Sequence, residues 1–105
     1  MIKYLVIRSE KVAENIEDIY YYISFNLSNQ KAAQDIYYAI NKRINSLEYY
    51  PQRFQLIQND DLSAIGIRVT HVEKYNIFYK IEEGHYVVHV LAVLYAGIDI
   101  NKAAL

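Results

Sequence analysis

Apolar residues spaced three and four positions apart predict two helices in the first half of the chain. Residues 4–8 are largely apolar and predict a short buried strand, and Ser9 after them is a favoured helix N-cap. The apolar face of the first helix consists of Val12, Ile16, Ile19, Tyr20 and Ile23. Residues 26–29 interrupt the pattern and can cap the second helix, whose apolar face consists of Ala33, Ile36, Tyr37, Ile40, Ile44 and Leu47. Pro51 closes the second helix, so we expect a helical hairpin.

Alternating apolar and polar residues predict a strand-rich second half. Strands are expected over 64–72, 75–81 and 86–95, and a Gly-bearing turn at 82–85 joins the last two. The polar stretch 52–63 before them holds a turn signal at 59–61 and apolar residues at 54–57 that suit a short strand. The order is therefore β-α-α-β-β-β. The simplest way to bury these stripes is an α+β fold with the helix hairpin packed on one antiparallel sheet.

The length and composition predict one soluble globular domain. The chain has 105 residues, of which 53% are hydrophobic and 22% charged, and it has no cysteine. We expect a single domain spanning residues 1–105 with a modest core and no disulfide scaffold. The apolar runs are too short for a signal peptide or a membrane span. A cytoplasmic protein without membrane association is the expectation.

Tyrosine content and net charge narrow the class of partner. The sequence contains 12 tyrosines and no tryptophan. Tyrosine combines an apolar ring with a polar tip and is common at protein interfaces, although genome composition and core packing explain such a count equally well. The formal net charge is −1. Proteins that bind phosphate backbones usually carry a basic excess, so this balance counts against a dedicated nucleic-acid binder.

A set of short segments gives the chain a family resemblance. They are SEKVAE at 9–14, AA at 32–33, INSL at 44–47, GIR at 66–68, YNIFYKI at 75–81 and the apolar run 88–94. In this order and spacing they resemble the RelE/ParE toxin superfamily of bacterial type II toxin–antitoxin systems, over nearly the whole chain. The resemblance implies that fold and two different activities. RelE-like members are ribosome-dependent mRNA endoribonucleases, and ParE-like members inhibit DNA gyrase by binding it.

The chain departs from the ribonuclease pattern of the superfamily at several positions. The link 52–65 holds one cation, Arg53, and no lysine, whereas RelE-like members place catalytic lysines near there. Relatives often carry arginine where Ala92, Gly97 and Ile98 stand. These departures favour the ParE manner of action, since losing one charge-stabilising donor costs a nuclease ~100- to 1000-fold. Two alternatives stay open: a metal-independent endoribonuclease, and a degenerate toxin that binds only its antitoxin.

Three residues are candidates for catalysis if the chain is a nuclease: Arg68, His71 and Tyr79. Arg68 has the forked cation that recognises phosphate or carboxylate, although pairing with Glu73 on the sheet surface is an equal alternative. His71, like His89, titrates near neutrality and suits general acid–base chemistry, yet strand histidines are more often merely solvated. Tyr79 shares a strand face with other apolar residues, which favours core packing over catalysis.

Five residues are candidates for binding a partner: Arg53, Tyr21, Tyr22, Tyr75 and Tyr95. The tyrosine run 20–22 must place at least one ring off the core face of the first helix, where it suits a protein contact. The resemblance implies a cognate antitoxin as partner, a toxin–antitoxin hetero-oligomer, and DNA gyrase or the ribosome with its mRNA as target. No cofactor is expected, and the histidines lack the spacing of a metal site.

Overall fold

The computed structural model describes residues 1–103 and 105 as a four-stranded sheet with two long helices on one face. The strands are β1 (Leu5–Arg8), β2 (Ile67–Val72), β3 (Tyr75–Glu82) and β4 (Val87–Tyr95), arranged in the order β1-β4-β3-β2. The predicted α+β class with a helix hairpin packed on one sheet is confirmed.

The sheet is mixed, which differs from the wholly antiparallel arrangement predicted. β2, β3 and β4 pair antiparallel, as strands joined by short turns do. β1 pairs parallel with β4, from Leu5 opposite Val87 to Arg8 opposite Val90. A whole helix hairpin separates β1 from the other strands, and a connection of that length permits parallel pairing.

The two long helices begin and end close to the positions predicted. They are α1 (Glu10–Tyr21), which continues into a π-helical turn at Tyr22–Asn26, and α2 (Gln30–Asn45), which tightens into a 3₁₀ turn at Ser46–Glu48. Asn29 caps α2, because its side-chain oxygen accepts a hydrogen bond from the Ala32 N–H at 3.1 Å. No helix among residues 1–103 has both the length and the apolar character needed to cross a membrane.

The segment between α2 and β2 contains more helix than the sequence pattern predicts. A 3₁₀ turn at Pro51–Arg53 is followed by the short helix α3 (Asp60–Ala64) in place of the expected turn. Asn59 caps α3 by accepting from the Leu62 N–H at 3.1 Å. The expected strand at 54–57 is reduced to one bridge between Leu56 and Arg68.

A main core lies between the helices and the sheet. Its largest fully buried side chains include Tyr79, Ile40, Ile44, Leu47, Ile77 and Val12. A smaller cluster of Ile67, Phe78 and Ala92 lies on the opposite face of the sheet. Apolar residues of the 54–62 segment and the C-terminal end pack against this second cluster, so part of that face is covered.

A β-bulge fastens α1 to β4. Phe78 pairs with Ala92 while the next residue, Tyr79, pairs with Val90, so β4 carries one extra residue at Leu91. The Ser9 hydroxyl donates to the Leu91 carbonyl at 3.0 Å, and the Val93 N–H donates to the Asn15 side chain at 3.0 Å. Ser9 therefore stands at the predicted N-cap position, but its hydroxyl binds the sheet and makes no cap hydrogen bond.

Candidate functional site

The three predicted catalytic residues lie on two different faces of the sheet. In the β2–β3 ladder Arg68 is opposite Tyr79, and His71 is opposite Asn76. The Thr70 hydroxyl accepts a hydrogen bond from Arg43 of α2, so the even-numbered positions of β2 face the helices. Arg68 and Tyr79 therefore share the helix-covered face. His71 lies on the opposite face, so the fold does not bring the three together.

Arg68 and Arg53 donate to main-chain carbonyls of the segment that joins α2 to the sheet. The Arg68 Nη1 lies 2.7 Å from the Phe54 carbonyl oxygen. The Arg53 Nη1 lies 2.6 Å from the Tyr49 carbonyl oxygen, and its Nη2 lies 2.7 Å from the Ser46 hydroxyl. The Arg68 bond ties the segment to β2, and the Arg53 bonds link residues within the segment to one another. The alternative pairing of Arg68 with Glu73 is not among the ion pairs of the described residues.

A third arginine strengthens the same arrangement. The guanidinium groups of Arg43 and Arg53 lie over the ring of Phe54, with their Cζ atoms 5.2 and 4.5 Å from the ring centroid. Arg43 also donates to the Thr70 hydroxyl at 2.6 Å and to the His71 carbonyl at 3.1 Å. We call Arg43, Arg53, Arg68 and Phe54 the arginine clamp. The three arginines thus link α2, β2 and the segment between them, and Arg53 remains exposed at the edge of this arrangement.

Tyr79 is a core residue with a satisfied hydroxyl. Its side chain is fully buried, and its hydroxyl donates to the Pro51 carbonyl at 2.6 Å. Burial raises the pKa of Tyr79 to about 12, although the nearby cations of Arg68 and Arg53 act in the opposite direction. At neutral pH the hydroxyl is therefore protonated and already donates its hydrogen.

His71 lies exposed beside a depression on the sheet face away from the helices. Its Nδ1 contacts the Asn76 side-chain oxygen across the β2–β3 pair. The depression has a volume of about 550 Å³, and its wall also includes Val69 and Phe78. His89 lies elsewhere, with its Nε2 3.4 Å from a carboxylate oxygen of Glu82.

Three of the predicted partner-binding tyrosines lie together at one end of the sheet. Tyr75 and Tyr95 are directly opposite in the β3–β4 ladder, and their rings meet edge to face at 6.1 Å. Burial raises the pKa of Tyr75, and the neighbouring hydroxyls of Tyr22 and Tyr95 raise it further. We call Tyr22, Tyr75 and Tyr95 the tyrosine cluster. The outer two rings are half exposed, at 51% for Tyr22 and 50% for Tyr95.

Two residues that depart from the arginine pattern have a structural explanation. A Cβ atom on Gly97 would lie 2.6 Å from the Tyr95 ring, so the position of that ring requires glycine there. Ala92 is fully buried beside Ile67 and Phe78, which leaves no space for a long charged side chain. The residues at 92 and 97 are therefore required by the packing of β4 and its end, and the structure gives no such reason for Ile98.

A second aromatic surface lies on the helix hairpin. Tyr37 of α2 meets Tyr20 of α1 at 6.0 Å, Tyr20 meets Tyr21 at 5.9 Å, and Tyr21 stacks on Phe25 at 5.6 Å. We call these four rings the aromatic row. Tyr21 is 49% exposed, Tyr37 51% and Phe25 69%. The row borders a groove of about 650 Å³ between α1 and α2.

The sequence analysis identified only Tyr21 of this aromatic row. Tyr20 and Tyr37 were assigned to helix core faces by spacing, and both are only partly buried or exposed. Phe25 was not assigned, and the structure places it in the π-helical turn that follows α1. The adjacent tyrosines of each helix, at 20–22 and 37–38, are the sequence signal for such a surface.

The fold is that of toxin–antitoxin proteins. It matches the chromosomal ParDE system of P. aeruginosa with a TM-score of 0.70 at 12% identity, over 90% of this chain and 98% of that chain. It matches the RelBE2 complex of Mycobacterium tuberculosis with a TM-score of 0.62 at 14% identity, over 90% and 93%. It matches the archaeal RelE–RelB complex of Pyrococcus horikoshii with a TM-score of 0.58 at 16% identity, over 92% of this chain and 99% of that chain.

The sequence identifies the family within this fold. The family described as the ParE toxin of the type II toxin–antitoxin system parDE matches residues 6–100. A comparison with curated protein sequences gave no match. The chain belongs to the ParE toxin family and is the toxin component of a type II toxin–antitoxin system. The resemblance predicted from the sequence is thereby confirmed.

Proposed function

We propose that this toxin inhibits growth by binding a protein target, DNA gyrase, and that it does not cleave RNA. The observation that carries the proposal is the separation of Arg68 and Tyr79 from His71 by the thickness of the sheet. A phosphodiester-cleaving site needs cationic donors and an acid or base that converge on one phosphate. These three side chains have no common space in which to do so.

The hydrogen bonds that Arg68, Arg53 and Tyr79 make within the protein support the same proposal. Arg68 and Arg53 donate to main-chain carbonyls, which orients both guanidinium groups toward the segment after α2. Tyr79 is fully buried and its hydroxyl is bound to Pro51. A buried, protonated and hydrogen-bonded phenol is poorly suited to proton transfer at a solvent-exposed substrate.

Exposed tyrosines supply a surface suited to protein targets. Tyrosine side chains bury large area at a low entropic cost and are enriched among residues that dominate binding energy. The tyrosine cluster offers two half-exposed rings, that of Tyr95 in contact with Tyr75 at the end of the sheet and that of Tyr22 on the π-helical turn. We assign the contact with the target to this cluster.

Membership of the family suggests the partner, the resting state and the location of this toxin. We propose a cognate antitoxin as the partner of this chain, a toxin–antitoxin hetero-oligomer as its resting state, and the cytoplasm as its location. The sequence organisation further favours one domain over residues 1–105. In this setting free toxin arrests growth only after the antitoxin has been removed.

Induced expression of the toxin alone, combined with mapping of mRNA 5′ ends, tests the proposal. We expect growth arrest without new ribosome-phased cuts, because the target is a protein. Tyr95→Ala should relieve the arrest, whereas His71→Ala, which alters the opposite sheet face, should not. Arrest with phased cuts that His71→Ala abolishes would overturn the proposal.

One observation favours a second candidate function, a ribosome-dependent and metal-independent mRNA endoribonuclease. His71 is exposed, contacts Asn76 and borders a depression of about 550 Å³ whose wall also includes the exposed cation Arg53. A histidine and a cation beside one cavity suit a nucleotide. Absence of any arrest would instead support a degenerate toxin that binds only its antitoxin, in keeping with Ala92, Gly97 and Ile98.

A further inference from the structure

The end of β4 extends beyond the shorter strand β1. β1 pairs with β4 only as far as Val90, whereas β4 continues to Tyr95. The Ala96 N–H donates to the Lys74 carbonyl at 2.8 Å, so alternation directs the N–H groups of Val93 and Tyr95 away from β3, to the side that β1 does not reach. No other strand of residues 1–103 and 105 pairs with β4 on that side. The end of β4 therefore takes its partners there from outside the sheet.

Asn15 of α1 supplies the partner for Val93. Its side-chain oxygen accepts a hydrogen bond from the Val93 N–H at 3.0 Å. Val93 is 1% exposed, and a buried N–H without a partner is strongly unfavourable. Asparagine is a poor residue for the interior of a helix, yet Asn15 lies in the middle of α1. The bond to β4 explains this asparagine, and helix propensity does not.

This bond joins the two elements that carry the exposed rings of the tyrosine cluster. Tyr22 comes about two helical turns after Asn15, which places the two residues on nearly the same side of α1. Tyr95 is the second residue after Val93, so both lie on the same face of β4. Burial raises the pKa of Tyr75 and the Tyr22 hydroxyl raises it further, which places Tyr22 near the Tyr75 ring that meets Tyr95. α1 and β4 therefore run side by side from the Asn15 bond to the cluster.

A second link between α1 and β4 lies farther from the cluster. The Ser9 hydroxyl donates to the Leu91 carbonyl at 3.0 Å, just before α1 begins. Ser9 precedes Asn15 by about 9 Å of helix, and Leu91 precedes Val93 along β4. The Asn15 bond is thus the link nearer to the cluster on both elements, and it has the greater influence on the position of Tyr22.

We propose that Asn15 is a positioning residue for the contact with the target, because its bond to Val93 sets the separation of the Tyr22 and Tyr95 rings. The proposal rests on the proposed function, since it takes the tyrosine cluster as the contact surface, and it adds the residue that holds this surface in shape. Rings presented by two different elements bind one partner well only when supporting hydrogen bonds fix their geometry. Asn15 itself does not touch the target.

The first measurement follows the geometry of the cluster in the free toxin. The titration of Tyr75, observed by ¹³C NMR of its ring, reports the burial of that ring and the proximity of Tyr22. Asn15→Leu keeps the size of the side chain and removes the acceptor, which releases Tyr22. The pKa of Tyr75 should then fall toward its ordinary value. In Ser9→Ala, the matched control, it should stay raised.

The second measurement is inhibition of DNA supercoiling by purified gyrase with the same toxin variants. Asn15→Leu should raise the inhibitory concentration about 10-fold, less than the loss of a ring would. Ser9→Ala should stay within about twofold of wild type, because its link is remote from the cluster. In a Tyr22→Ala background Asn15→Leu should have no further effect, since the ring that it positions is absent.

Two substitutions at the same position separate positioning from simple satisfaction of the Val93 N–H. Asn15→Asp keeps an oxygen acceptor at the same reach and should restore inhibition to within about threefold of wild type. Asn15→Gln keeps the amide but lengthens the side chain by one carbon, so it should weaken inhibition although the bond can still form. Urea denaturation shows which variants are folded, and Asn15→Gln decides the test if Asn15→Leu is not.

The possible results separate failure of this inference from failure of the proposed function. An unchanged Tyr75 titration or unchanged inhibition in Asn15→Leu would overturn the inference alone. An equal loss of inhibition in Ser9→Ala, or a further loss from Asn15→Leu without the Tyr22 ring, would also overturn it, because the effect would then be a general one on the fold. No inhibition by the wild-type toxin would overturn the proposed function, and the assignment of Asn15 to the target contact with it.

Discussion

The arginine clamp and the aromatic row differ in what their side chains contact. The clamp arginines bind other parts of the protein, whereas the rings of the row are largely exposed to solvent. The clamp directs Arg43 and Arg68 to a buried hydroxyl and a main-chain carbonyl. Arg53 also donates to a carbonyl, but its side chain stays exposed and borders the depression beside His71. The aromatic row leaves rings such as Phe25, at 69% exposure, in contact with solvent. A protein that binds single-stranded RNA combines exposed rings with a groove of outward cations. The aromatic row has the rings, whereas Arg43 and Arg68 are partly buried and turned toward protein atoms.

This contrast teaches that residue type alone does not assign a site in this chain. Arg68 and Arg8 are both arginines on edge strands of one sheet. Arg68 donates to carbonyls of the segment between α2 and β2, whereas the hydrogen bonds that Arg8 makes within residues 1–103 and 105 go to two side-chain amides. The availability of the cation depends on what lies within hydrogen-bond distance, which only the tertiary structure specifies.

The largest expected effect is on stability, at the buried residue Tyr79 beside the arginine clamp. Tyr79→Ala should lower the free energy of unfolding by about 3–5 kcal/mol, because it empties a fully buried ring site. Tyr79→Phe should cost about 1–3 kcal/mol, since it leaves the Pro51 carbonyl without its donor. Urea denaturation measures both. A Tyr79→Phe protein with unchanged stability and no toxicity would show that the hydroxyl acts in function.

The stability of the protein at alkaline pH should depend on the ionisation of Tyr79. The folded pKa of Tyr79 is raised to about 12 from an ordinary 10, so its stabilising contribution is complete below pH 10. The contribution is lost as pH rises from 10 to 12, because only the unfolded chain then releases the proton. The loss is on the order of 2–3 kcal/mol. The free energy of unfolding, measured with denaturant, should fall less between pH 9 and about 12 for Tyr79→Phe than for the wild type.

The tyrosine cluster should carry the contact with the target. Tyr22→Ala and Tyr95→Ala should each raise the toxin concentration needed for inhibition about 30-fold, as truncation of an interface hot spot does. Tyr38→Ala is the matched control, since Tyr38 is 68% exposed and outside both aromatic surfaces. Equal loss of inhibition in all three variants would contradict a localised contact.

Gly97 should influence function through the ring it touches. Gly97→Ala must displace the Tyr95 ring, so we expect an increase in inhibitory concentration of about 10-fold or less, smaller than that of deleting the ring. Gly84→Ala introduces a Cβ with no neighbour within 4 Å and serves as the control. In a Tyr95→Ala background, Gly97→Ala should have no further effect. An additional loss there would show that Gly97 acts by another route.

The smallest expected effect is at the sheet face that a nuclease would use. His71→Ala should leave toxicity within about twofold of wild type, because exposed strand residues away from a binding surface contribute little. Dose–response curves of growth arrest measure this directly. A loss of 100-fold or more would move the functional site to the depression beside His71.

The sequence pattern predicted the helices and strands well, because their apolar spacings are regular and each element is long. It failed to predict the parallel pairing of β1, which depends on where the helix hairpin returns the chain. It also missed the helical character of α3, where Asn59 gave a turn signal that serves equally as an N-cap.

The candidate site was harder to predict than the fold. Alternation along β2 places Arg68 and His71 on opposite faces, and this could have been read from the sequence. The bulge at Leu91 could not, because it depends on pairing and hydrogen bonds between distant segments. The π-helical turn that carries Tyr22 is closed by a local bond from the Leu27 N–H to the Tyr22 carbonyl, and apolar spacing does not distinguish it from an α-helical turn. The partners of Arg53 and Arg68 likewise come from the fold of the 46–54 segment.

The most direct test of protein-target action is DNA supercoiling by purified gyrase in the presence of the purified toxin, beside mRNA cleavage on purified ribosomes. We expect micromolar toxin to abolish negative supercoiling, Tyr95→Ala to restore it, and the mRNA to remain intact. Unchanged gyrase activity together with mRNA cut on the ribosome, in a reaction that His71→Ala blocks, would contradict this mechanism.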